Sequence, residues 1–105
     1  MEVSGTEREA AMLKGQRAFD ASGEKVGDVN KVLFDKATRK PEWLAVQQGL
    51  LGRTSRIVPF QGVERREDGI TFPTQAPKFS AAPELEGEEI SQELERRLAS
   101  HYGLQ

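Results

Sequence analysis

The chain of 105 residues carries one histidine and no cysteine, so its chemistry is bounded first by what is missing. Without thiols there are no disulfides, no thiolate nucleophile and no zinc site built on cysteine. His101 stands near the C-terminus beside Tyr102. It lacks the second ligand or base that a metal site or acid–base pair requires, and an imidazole at a helix end more often meets the last carbonyls and the dipole. Glu84, Glu86, Glu88 and Glu89 crowd one stretch, where carboxylates could take a divalent cation or pair for proton transfer. The run lacks the ligand spacing of an EF-hand loop and reads as a solvated connector. Gly23-x-x-x-Gly27 is turn chemistry, not a phosphate cradle, and no Ser/His/Asp arrangement is present. The sequence therefore predicts no catalytic residue, no metal site and no cofactor, and sets the enzyme class aside.

Two sets of residues remain with something to offer. Lys36, Arg39, Lys40, Arg53, Arg56, Arg65 and Arg66 flank predicted turns; converging at one end of a barrel, they would attract phosphate or an acidic protein surface. Arg39, Lys40, Arg53 and Arg56 are the contacts an RNA would use. Against RNA stand the absence of any aromatic platform near them except Trp43 and a pI of about 5.5. The second set is Trp43, Leu50 and Leu51. Exposed, such an aromatic–aliphatic cluster marks a protein–protein contact, a homodimer interface included. Otherwise it closes the barrel's open end or receives an apolar helix stripe.

The elements that must position these residues centre on Glu42 to Phe60, read as a hairpin of strands Trp43–Gln47 and Ser55–Pro59 about the turn Gly49-Leu50-Leu51-Gly52. Leu44 and Val46 share one face, Trp43 and Ala45 the other. Upstream, Thr6-Glu-Arg-Glu9 has the form of a capping box before a short helical turn. Lys14–Asp20 reads as a strand ending in the turn Asp20-Ala-Ser-Gly23. In Lys25–Asp35 strict alternation fails around Asn30-Lys31, which predicts a β-bulge there. Downstream, Val63–Phe72 is a hairpin turning at Asp68-Gly69. Thr74 is placed to cap a short turn through Phe79. Ser91 is placed to cap a helix running to Tyr102, with Gly103 as its stop. Ile90, Leu94, Leu98 and Tyr102 make a stripe that must dock on something, because a helix of about twelve residues is marginal alone. Glu93 and Arg97 stand at i, i+4 in the favoured orientation.

Length allows one domain. No apolar run approaches the roughly 18 residues that span a bilayer, and the N-terminus lacks the basic and apolar regions of a secretion signal; the expected location is cytoplasmic. The net charge of −2 is unevenly spread. Residues 1–13 set Arg8 against three glutamates, residues 14–78 hold twelve Lys and Arg against eight Asp and Glu, and residues 79–105 set Arg96 and Arg97 against six glutamates. An acidic tail suited to pack on a basic body is the simplest reading.

These features together resemble the PRC-barrel family, named for the cytoplasmic domain of the photosynthetic reaction-centre H subunit and including the C-terminal domain of a small-subunit ribosome maturation factor. The matching stretches are Leu13-Lys-Gly15, Phe19-Asp20, Gly23-Glu-Lys-Val-Gly27 with Val29, Phe34-Asp35, Pro41-Glu-Trp43, Gly49-Leu-Leu-Gly52, Val58-Pro59 and Ala82-Pro83. The Ser91 helix ending His101-Tyr102-Gly103 is similar to the tail of stand-alone members. Ala18 sits where the family usually has a larger aliphatic, and Pro77 weighs against a regular helix in its segment. The resemblance implies a mainly β protein: a barrel of about six strands over residues 13–83, after an N-terminal extension of residues 1–12. An acidic connector and C-terminal helix follow over residues 84–105. It also implies a non-enzymatic adaptor or assembly module, with an RNA-associated accessory factor in ribosome maturation or RNA processing as the second reading.

Overall fold

A computed structural model of the chain describes residues 7–48, 54–85 and 87–104. The elements are α1 (Glu7–Ala11), β1 (Arg17–Phe19), β2 (Lys25–Phe34), β3 (Pro41–Gln48), β4 (Thr54–Pro59), β5 (Glu64–Arg66), β6 (Gly69–Thr71), α2 (Ala76–Ser80) and α3 (Gln92–Tyr102). The six strands form one sheet in the order β4-β3-β2-β1-β6-β5. Every pairing is antiparallel except β1 with β6, which is parallel. The edges β4 and β5 do not pair with each other, so the barrel-like sheet is not closed.

The sheet wraps one core and carries a second on its outside. Val29, Val32, Leu44, Val46, Val58, Ile70 and Phe72 fill the inner core. α1 and α2 close over it: Ala10, Leu13 and Phe79 are all fully buried, and the Phe72 and Phe79 rings lie 5.4 Å apart. The outer cluster joins Leu33, Trp43, Ala45 and Ile57 to Leu94 and Leu98 of α3. In β3, Trp43 through Val46 are buried on both faces, which is why this hairpin is the most apolar stretch in the sequence.

The expected bulge is present. Val29 pairs with Val46 but Lys31 with Ala45, leaving Asn30 as the extra residue. The shift lets Val29 and Val32 face the same core while Leu33 faces the other. A second register shift, at Leu33/Phe34 opposite Trp43 and Pro41, leaves Glu42 without an opposite residue.

Two expectations are corrected in detail. The β5–β6 hairpin pairs Arg66 with Gly69, so its two-residue loop is Glu67-Asp68 and not Asp68-Gly69. Gly69 is needed in the strand itself: a Cβ there would lie 2.2 Å from the Arg17 carbonyl oxygen of β1. The short helix α2 starts from Gln75 instead of Thr74, and Pro77 sits in its first turn, where a missing N–H costs nothing. The proline opens the helix rather than preventing it.

Asp20 is the one buried charged side chain among the described residues. Its Oδ1 accepts from the Ser22 hydroxyl at 2.6 Å and from the Ser22 and Glu24 N–H groups at 3.0 Å, and its Oδ2 accepts from the Ala76 N–H at 3.2 Å. It therefore binds the β1–β2 turn to the start of α2. The Ser22 hydroxyl above all, with the three backbone N–H groups, holds this carboxyl below its ordinary value of 3.8 against the opposing effect of burial. A lowered folded-state pKa gives stability that is present above the unfolded pKa and lost as the pH falls through the folded one. Asp20→Asn is expected to cost about 2 kcal/mol at pH 7, the scale of hydrogen bonds to a charged group. In urea unfolding, the gap to the parent protein should narrow as the pH is taken below about 4; a gap that stays constant to pH 2.5 would assign the effect to shape alone.

Candidate functional site

The site is built where α3 and the preceding connector lie against the outer face of β2, β3 and β4. Ser91 caps α3 by accepting from the Leu94 N–H at 3.1 Å, and Gly103, in the left-handed conformation at φ 67°, ends it. Leu94 and Leu98 are buried on the sheet. Tyr102 packs its ring 6.4 Å from Trp43 and donates its hydroxyl to the Ile57 carbonyl; burial pushes its phenol up in pKa. The stripe read from the sequence is thus the surface that docks.

Charge reinforces the docking. Lys31 donates to the Glu88 carbonyl at 2.7 Å, Lys36 pairs with Glu89 at 3.0 Å, and Arg56 pairs with Glu84 at 3.3 Å. Glu84 also forms a β-bridge to Arg56, and the Leu85 N–H donates to the Ser55 carbonyl at 3.0 Å. The connector therefore covers part of the exposed edge of β4, a row of unpaired backbone groups. The acidic tail on a basic body is a set of named contacts. No group of three or more His, Asp and Glu side chains among the described residues could hold a metal ion.

Two hollows result. The first, about 610 Å³, is lined by Arg56, Pro83, Glu84, Arg97, Ser100 and His101 among others. His101 Nε2 lies 2.8 Å from the Lys78 carbonyl oxygen, and since a carbonyl only accepts, that nitrogen carries the proton. The second, about 530 Å³, runs between the β2–β3 loop and α3 and is lined by Asp35, Glu42 and Glu95 beside Lys31 and Lys36. Burial raises the Glu42 carboxyl to about 7, helped by a hydrogen bond shared with Asp35 and by the charges of Glu95 and Asp35. Asp35 moves the opposite way, lowered first by the Thr38 N–H, because it also accepts from Ala37 and is served by the Glu42 hydrogen bond.

The residues singled out in the sequence separate. Trp43 is 7% exposed and turned toward α3 of its own chain, so its ring is a docking surface for the helix and is not presented to a second chain. Leu50, Leu51, Arg53 and Glu86 lie outside the described residues. Arg39 and Lys40 sit in the loop before β3, whereas Arg56 pairs opposite Val46, six residues and roughly 20 Å further along the strand. Lys40 and Arg56 therefore lie well apart along the sheet. Arg66 pairs with Asp68 at 2.6 Å and stacks over Phe19. Arg97 forms no ion pair with Glu93; it lines the first hollow. The grouping of Arg56, Arg97 and His101 was not readable from the sequence, because β4 and α3 lie some 40 positions apart in the chain and no local spacing joins them.

A family model described as PRC-barrel domain matches residues 5–76, a segment that holds all six strands. The chain belongs to the PRC-barrel domain family. The fold and the family agree, and the resemblance carried by the glycine, Phe-Asp and Val-Pro stretches is confirmed. No curated protein matches the chain. Among the described residues no helix is long and apolar enough to cross a membrane. The PRC-barrel match ends at residue 76, so the connector, α3 and both hollows involve residues beyond it.

Leu98 is fully buried between α3 and the sheet, and Leu98→Ala is expected to cost about 2–4 kcal/mol, read by denaturant unfolding followed through Trp43 fluorescence. A cost below about 0.5 kcal/mol would mean that α3 contributes little to the fold. Glu42 gives the opposite pH dependence to Asp20. A carboxyl raised from 4.5 to about 7 in the folded state binds more protons folded than unfolded, so stability falls as the pH rises across that window. Glu42→Gln should raise the melting temperature at pH 8 and leave it nearly unchanged at pH 4.5; equal shifts at both values would refute the assignment.

Proposed function

We propose that this PRC-barrel protein is a non-enzymatic adaptor or assembly module that works by binding another protein chain. The observation that carries the reading is the match of the whole six-stranded sheet to a family of generally non-catalytic modules. The way the fold employs its buried and part-buried polar groups supports it: Asp20 and Tyr102 hold a turn and a helix in place. With Trp43 committed to α3, the partner contact falls to Leu50 and Leu51, two leucines in the link between β3 and β4 where polar residues are usual. A second copy of the chain is one partner such a surface would take, giving a homodimer.

The RNA-associated reading relied on Arg39, Lys40, Arg53 and Arg56 forming one patch, and the distance along β3 between Lys40 and the partner of Arg56 counts against it. Leu50→Glu and Leu51→Glu are expected to abolish self-association in sedimentation, or capture of a partner from native extract, while circular dichroism and melting temperature stay within about 2 °C of the parent, the range of a neutral surface change. Unchanged oligomeric state together with unchanged capture would refute the reading. RNA binding that falls steeply with salt and is lost in the Arg53/Arg56 double alanine would replace it.

A further inference from the structure

We infer that the hollow between β4, the connector and α3 is a binding site for an oxyanionic group, a phosphate or a carboxylate. Two guanidinium groups, Arg56 and Arg97, line it against a single carboxylate, Glu84, so the cavity holds an excess of positive charge beside the hydroxyl of Ser100 and the ring of His101. Arg56 is held in place on one side, with Nη1 donating to the Ala82 carbonyl at 2.8 Å. Its remaining capacity is poorly used. Nη2 meets Glu84 only at 3.3 Å, longer than the roughly 2.7–2.9 Å of a strong charge-assisted bond, and is the part of the fork an anion would engage, since Nε is sealed from water. The Glu84 side chain is half exposed, at 51%, and is free to swing toward solvent.

Arg97 strengthens the case from the other wall. Its side chain makes neither a hydrogen bond nor an ion pair among the described residues, although it also borders a smaller cleft holding Glu89 and Glu93. A guanidinium offers a planar fork that matches the two oxygens of a carboxylate or phosphate. Here one fork comes from the sheet edge and the other from the docked helix, so an anion between them would join the two. Glu84 then acts as an internal competitor, a carboxylate of the chain resting where an external one would bind. This inference does not depend on the adaptor reading.

The test follows the arginine Nε–H signals by nitrogen-15 NMR on the full chain, titrated separately with inorganic phosphate and with acetate. Sodium chloride at matched ionic strength is the control. A saturable displacement of the Arg56 and Arg97 signals by phosphate, by acetate or by both is expected, and the tighter of the two names the group the site takes. Arg97→Gln changes an exposed residue and should weaken binding at least tenfold without disturbing the sheet resonances, and Glu84→Gln should tighten it several-fold by removing the competitor. Displacement equal to that of chloride, a titration indifferent to Arg97→Gln, or binding no tighter in Glu84→Gln would each overturn the proposal.

Discussion

The structure depends on a strand that is apolar on both sides. In β3, Leu44 and Val46 enter the inner core while Trp43 and Ala45 face outward, and all four are buried. A curled sheet by itself could shelter only one of these faces. With Leu33 and Ile57, the other would leave a continuous apolar surface in water, the kind of patch that soluble proteins cover or use. Here α3 covers it. The helix is as dependent on the sheet as the sheet is on the helix, because eleven residues are too few to hold helical structure without a surface to pack on.

Feeding two cores from one sheet requires changes of register, and the bulge at Asn30 supplies the main one. An uninterrupted β2 would place Val29 and Val32 on opposite faces. One unpaired residue returns both to the inner core and leaves Leu33 on the outer side. The turn anchored by Asp20 acts at the next level: it ties the β1–β2 turn to the start of α2 through four hydrogen bonds to one carboxylate, and Phe79 of α2 is buried in the inner core.

Electrostatics follows the same division. The body of the PRC-barrel fold is basic and the tail acidic, and the two meet at Lys31, Lys36 and Arg56. The docking concentrates like charge as well as opposite charge. Glu42, whose carboxyl is raised first by burial, shares a groove with Asp35 and Glu95, whose charges add to that shift, while Arg56 and Arg97 share a hollow with only one carboxylate. Glu95 and Arg97 are both brought to these hollows by α3.

The local rules by themselves settled the elements: the hairpin about Trp43, the bulge at Asn30-Lys31, the Ser91 cap, the Gly103 stop and the apolar stripe were all readable, since each depends on neighbours within a few residues. The family was readable too, because its glycines and Phe-Asp and Val-Pro pairs mark turns at fixed spacing. What the tertiary structure alone decided is which surfaces meet. Burial of Trp43 under Tyr102, the strand-bound Gly69 pressed against Arg17 and the hollow shared by Arg56 and Arg97 all join residues tens of positions apart. Side chains at such separations are brought together by how sheet and helix pack, and sequence spacing carries no record of that distance.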